Sequence, residues 1–235
     1  MIRRTLPVWL CLAALAVGCH REPPRAPKRE ATQKREQVYT DKTPEQWLQL
    51  IQHRSPQVRE KAVAALVQYG KDQTPALTAI VENKAAGPGR LAACRALGEI
   101  GPGAKAAAPA LAQALQDSAW NDRDAAAEAL GRIRADVDVS APALIAATRD
   151  TDQRVRGVAA RALGRLRSGD AKIVAALAAA LKDEDANVRA SAAMGLQDIG
   201  PQAKAAIPDL EKAAATPDFI SAQAAAEALK AIRGQ

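Results

Sequence analysis

One leucine sets the period of this chain. Leu66, Leu97, Leu130, Leu163, Leu196 and Leu229 follow one another at 31, 33, 33, 33 and 33 residues. An arginine stands seven residues before the leucine in five of the six copies: Arg59, Arg90, Arg123, Arg156 and Arg189. The sixth has Ala222 there. A register of this length, held over most of a chain, means a solenoid, a propeller or another array of small repeats.

The fourth copy shows what each unit folds into. Its stretch from Asp152 to Leu166 has no proline and is rich in alanine, arginine and leucine, all good helix formers. Asp152 is placed as the N-cap, its carboxylate accepting from free backbone N–H groups. Val155, Ala159, Ala162, Leu163 and Leu166 recur at three- and four-residue steps and share one face, while Arg154, Arg161 and Arg165 fall opposite. The apolar face is narrow and made largely of small residues, so neighbouring helices can approach closely. Before it, residues 140–149 predict a shorter helix with Ser140 as cap and Pro142 in the first turn. Pro109 and Pro208 hold the same place. Each unit is therefore a short helix, a turn and a longer helix, and only stacking on its neighbours buries its apolar face.

The pattern Asp-x-x-Val-Arg-x-x-Ala-Ala-x-Ala-Leu-Gly-x-Ile/Leu resembles HEAT-like repeats, the type also found in phycobilisome lyases. Asp152 to Leu166, Asp185 to Ile199 and the Ala-Leu-Gly-x-Ile-Gly-Pro end of Ala93 to Gly103 carry the likeness. It implies an all-α chain: a right-handed α-solenoid of about six HEAT-like helix pairs over residues 41–235. Departures are Gly195, which precedes its leucine, and Val67 and Gln197 in the usual glycine place. The fold hosts many functions, so none follows from the likeness.

Residues 1–19 lie outside the repeat. Arg3 and Arg4 are followed by an uncharged apolar run, too short for a spanning helix, which predicts an export signal. Its end, Ala16-Val17-Gly18-Cys19, resembles a bacterial lipobox, which implies lipidation of Cys19 and a membrane anchor. His20 after the cysteine favours outer-membrane placement, on the periplasmic or cell-surface side. Residues 20–40 carry three prolines, six Lys/Arg and three Glu with almost no apolar residue, the composition of a tether. Thr43-Pro-Glu-Gln46 then opens the folded part as a capping box. Trp47 is expected to seal the first repeat.

The formal charge of +7 suggests nucleic acid until it is partitioned. Residues 1–40 carry +5 of it, and the repeats only +2, from 25 basic and 23 acidic residues. A DNA-binding solenoid should carry a basic stripe on the domain itself, whereas Glu99, Glu128 and Asp198 interrupt Arg132, Arg161 and Arg165. The repeated arginine is expected to pair with acidic caps or carbonyls of the adjacent repeat and so to fix stacking register. Cys94 is the one cysteine of the repeats, on an alanine-rich face that suits a small buried thiol. Metal-ligand spacing, a nucleophile elbow and a phosphate-binding glycine loop are absent from the sequence. Neither a catalytic residue nor a metal or other cofactor is expected.

These features predict a non-catalytic protein–protein interaction scaffold, lipid-anchored in the bacterial envelope, with another protein as partner. No nucleic acid and no small-molecule substrate are expected. Contact candidates are the outward positions that vary while the core repeats: Arg95, Glu128, Arg161 and Met194 two residues before the leucines, Glu99, Arg132, Arg165 and Asp198 two after. Trp120, in a turn, is the candidate anchor, tryptophan being enriched in binding hot spots. Two alternatives stand beside this reading. One is an enzyme resembling the bilin lyases or isomerases, the other a nucleic-acid-binding solenoid.

Overall fold

The computed structural model describes residues 41–117 and 122–234. Every regular element in them is helical, and the helices come in six pairs. The pairs are α1 (Pro44–Leu50) with α2 (Pro56–Tyr69), α3 (Thr74–Glu82) with α4 (Pro88–Ile100), and α5 (Ala108–Leu115) with α6 (Arg123–Ile133). There follow α7 (Val137–Ala147) with α8 (Gln153–Arg165), α9 (Ala171–Ala180) with α10 (Ala186–Ile199), and α11 (Ile207–Ala214) with α12 (Phe219–Arg233). The second helices stack in order from α2 to α12, and α3, α5, α7 and α9 stack in order as a second layer. This is an α-solenoid.

Local chemistry starts the helices where the sequence says. Thr43 and Gln46 form a complete capping box at α1: the Gln46 N–H donates to Thr43 Oγ1 at 3.4 Å and the Thr43 N–H to Gln46 Oε1 at 3.0 Å. Asp152 accepts from the Arg154 N–H at 2.8 Å, and Asp185 from those of Asn187 and Val188 at 2.8 and 3.1 Å. Trp47 and Ile51 are buried at the N-terminal end, so Trp47 does close the first repeat. One start differs from expectation. Helix α7 begins at Val137, behind Asp136, and Ser140 is a fully buried residue inside it rather than its cap. The reason lies in the preceding exit. After α4 and α10 the chain leaves through Gly101 or Gly200 (φ 69° and 70°) into a seven-residue 3-10 segment. After α6 it leaves through Arg134 at φ 47° with no Gly-Pro, and the residues that would make the 3-10 segment extend the helix instead.

The core is made of the periodic leucines and small residues. Leu66, Leu97, Leu130, Leu163 and Leu196 are fully buried and Leu229 nearly so. Around them the second helices approach backbone to backbone. A Cβ on Gly164 would sit 2.4 Å from the Gly195 Cα, and one on Gly131 2.9 Å from the Ala162 Cα. Gly195, displaced by one from the usual place, is therefore the partner surface that Gly164 needs. The Cys94 thiol is buried in the same layer, and burial pushes its pKa up to about 12, so it packs as a small apolar group.

Candidate functional site

Two sets of charged side chains cross the seams between repeats. The first is the periodic arginine. Arg123 Nε and Nη2 donate to the two carboxylate oxygens of Asp150 at 2.8 and 2.7 Å. Arg156 repeats the fork on Asp183 at 2.8 and 2.9 Å. Arg189 reaches Asp218 at 3.1 Å, and Arg90 reaches Asp117 at 3.0 Å. Meanwhile Nη1 turns back on the arginine's own repeat: that of Arg156 donates to the carbonyls of Asp150 and Thr151, that of Arg189 to those of Asp183 and Glu184. Arg156 and Arg189 thus clamp their own interhelix turn to the next one, and Arg90 does so by donating from Nε to the Val81 carbonyl at 2.7 Å.

The acid in this clamp is not the helix cap. Asp150 Oδ1 accepts from the Asp152 N–H and Asp183 Oδ1 from the Asp185 N–H, both at 2.9 Å, while Asp152 and Asp185 do the capping. The hydrogen bond from Arg123 holds the Asp150 carboxyl below its ordinary value against the cost of burial. For Asp183 burial acts upward, and the bonds from Arg156 and the Asp185 N–H outweigh it.

The second set gathers most of the proposed contact residues. Glu128 accepts from Arg132 Nε on its own helix at 2.7 Å and from Arg165 Nη1 on α8 at 2.6 Å. Arg161 Nη1 donates to the Met194 carbonyl at 3.1 Å and to Asp198 at 2.5 Å, tying α8 to α10. These side chains are half-exposed, and burial, acting upward on Glu128, is outweighed by its two arginines. The structure thus brings Glu128, Arg132 and Arg165 together in one network and places Arg161 in another. Trp120 and Cys19 lie outside the described residues.

Arg95 stands apart from both sets. It is exposed on α4, and neither it nor Glu99 nor Glu60 makes a hydrogen bond or ion pair among the described residues. All three line a groove of about 720 Å³ that runs over α2, α4, α6 and α8. Its floor is small and apolar, including Ala64, Ala92, Ala125 and Val158. Its charged rim includes Glu128 and Arg132 as well as Arg59. No aromatic side chain is among the described residues that line it. Reasoning from sequence missed Arg59 and Glu60 as groove residues. The signal was present, since Glu60 follows the periodic arginine of a repeat whose preceding turn, residues 52–55, has no acidic residue. No group of three or more His, Cys, Asp or Glu among the described residues has metal-binding geometry. No helix among them is long and apolar enough to cross a membrane.

The profile of HEAT repeats matches residues 74–145 and again 141–230. The chain belongs to the HEAT-repeat family. No curated protein matches its sequence. Among solved structures it is similar to an engineered protein, at 21% identity over 87% of this chain and 97% of that one, with a TM-score of 0.56. A designed armadillo repeat protein in complex with the peptide (KR)4 is similar at 18% identity, covering 80% and 98% of the two chains, with a TM-score of 0.57. The complex of CpcE and CpcF of phycocyanin lyase from Nostoc sp. PCC7120 contains a chain 26% identical over 82% of this chain and 77% of that one, with a TM-score of 0.56. These likenesses place the fold among helical repeat solenoids.

Proposed function

We propose that this HEAT-repeat chain is a non-catalytic scaffold that binds another protein through the groove over α2, α4, α6 and α8. The observation that carries the reading is the contrast within that groove. Most seam charges are engaged with each other, yet Glu60, Arg95 and Glu99 line a 720 Å³ trough and have no partner among the described residues. Charges of both signs above an alanine floor suit an extended polypeptide, whose backbone lies on the floor while side chains meet the rim. Solenoids offer such surfaces because each contact row repeats along the stack. Two of the similar structures are complexes, one with a peptide and one of two chains. The N-terminal features extend the proposal: lipid on Cys19 would anchor the scaffold in the bacterial envelope, with residues 20–40 as tether.

The likeness to the phycocyanin lyase chain favours a second reading, a lyase-like repeat protein acting on a bilin. Against it stands the absence of any aromatic side chain among the described residues of the groove, which leaves a tetrapyrrole nothing there to stack on.

Capture from native membranes tests the proposal. The wild-type chain is compared with an Arg95→Glu, Glu99→Lys double variant, and a Cys19→Ala variant tests the anchor. The proposal expects a defined protein retained by wild type and lost from the groove variant, and loss of membrane association for Cys19→Ala. Equal recovery from wild type and the groove variant would overturn the assignment of the groove. A bound pigment would overturn the non-catalytic reading.

A further inference from the structure

Every clamp arginine except the first reaches an aspartate of the next repeat. Arg59 Nη1 donates to the carbonyls of His53 and Arg54, six and five residues before it, at 2.8 and 2.9 Å. Arg156 and Arg189 use Nη1 in the same way, on carbonyls six and five residues back. Their remaining edge meets an aspartate of the next repeat. Arg59 has no such aspartate. Asp117, Asp150 and Asp183 stand thirteen residues before Leu130, Leu163 and Leu196, and the residue thirteen before Leu97 is Lys84. That lysine is exposed and its ammonium lies 3.7 Å from Asp117. Arg59 Nε and Nη2 therefore have no partner among the described residues. The guanidinium is half-exposed and lines the groove.

We propose that Arg59 is a carboxylate-binding position at the N-terminal end of the groove, taking an aspartate or glutamate side chain from the extended segment of the partner protein. This inference rests on the scaffold reading above and names the chemistry of its ligand. Three physical arguments support it. The two Nη1 bonds fix the plane of the guanidinium, so little side-chain freedom is lost when the fork is filled. Nε and Nη2 form the edge that in Arg123 and Arg156 binds a carboxylate with two parallel bonds, the geometry in which arginine recognises acids best. The substitution of lysine for the expected aspartate removes the internal competitor and adds a positive charge to the repeat that faces Arg59. Glu60 is the opposing charge beside it and sets a limit on affinity. The same Glu60, with Glu99 further along, gives the segment a direction: its acid lies toward the first repeat and a basic residue beyond.

The test uses the full chain with 15N-labelled arginine side chains. The probe is an acetylated and amidated Gly-Ser peptide with one central aspartate, and its asparagine counterpart is the control. A saturable shift of the Arg59 Nε–H resonance, absent with the asparagine peptide and weakened by salt, is the expected result, with Arg123 and Arg156 unmoved. Arg59→Lys keeps the charge but not the fork, and should weaken binding at least fivefold, read from the backbone amides of residues 53–60. Lys84→Asp restores the acid to its register and should weaken binding at least as much. No response of Arg59, an equal response to the asparagine peptide, or undiminished binding by Lys84→Asp would each overturn the inference. A stronger response to inorganic phosphate than to the aspartate peptide would overturn the choice of a carboxylate. If Arg59 stays silent while partner retention still depends on Arg95 and Glu99, this inference fails and the scaffold stands.

Discussion

The seam between α2 and α4 and the seams from α6 to α10 are built from the same sequence register but filled differently. In the later seams each Leu130 and Leu163 is followed by a glycine, which lets the next helix come within backbone contact. Each clamp arginine there meets an aspartate, Asp150 or Asp183. In the first seam Val67 stands after the leucine and Lys84 in the place of the aspartate. The difference teaches that the repeat supplies two separable things. Its leucines, present in every copy, build the core, whereas its seam chemistry is optional and can be withheld where a surface is to stay open.

The largest effect should come from the close approach. Gly164→Val forces a side chain into the Gly195 backbone and should cost about 3 kcal/mol or more in urea unfolding. Val67→Leu at the equivalent, half-exposed place in the first repeat should cost less than about 1 kcal/mol. Similar costs at the two positions would show that the seams do not differ in packing. The next effect concerns the clamp. Asp150→Ala leaves the nearly buried Arg123 without its fork partner and should cost roughly 3 kcal/mol, the range for breaking a buried ion pair. Arg59→Ala removes only two bonds to exposed carbonyls and should cost about 1 kcal/mol.

Acid sharpens the same comparison. Asp150 and Asp183 have carboxyls held below the ordinary 3.8 in the folded chain. Between the folded and unfolded values the unfolded chain binds more protons, so stability rises with pH there. The contribution is complete above the unfolded value and is lost as pH falls below about 3.8 toward the folded values. Asp150→Asn should flatten that part of the stability–pH curve, and Arg59→Ala, whose guanidinium bonds only carbonyls, should leave it unchanged. An unchanged slope in Asp150→Asn would contradict the clamp. The smallest effect belongs to the surface network. Glu128→Gln should cost about 0.5–1 kcal/mol, with much of the difference gone in high salt.

The architecture was legible because it rests on spacing. Leucines at a fixed period, Asp152 and Asp185 before helical runs, and Thr43 three residues before Gln46 are each one-dimensional signals, and all three recur in the structure. Ser140 was misread because a serine before an alanine-proline pair looks like a cap, while the deciding feature was the missing Gly-Pro at Arg134, upstream. The site was less legible. Arg161 and Arg95 occupy equivalent places two residues before a leucine, yet Arg161 is engaged by Asp198 and Arg95 is not engaged by any described residue. That difference depends on which residue lies across the seam, 37 positions away, and a single repeat does not carry it. Arg59 is the converse case: it obeys the repeat, and its distinction lies in a residue of the next one, Lys84.

The claim on which the account turns is that Arg59 keeps an open fork where its counterparts are filled. Hydrogen exchange of arginine Nε–H groups in the unliganded full chain measures this directly, by 15N-detected NMR. The account predicts strong protection for Arg123 and Arg156, whose Nε–H groups donate to buried carboxylates, and exchange at least tenfold faster for Arg59. Equal protection at all three would mean that the first fork is already filled within the chain, and would contradict the account.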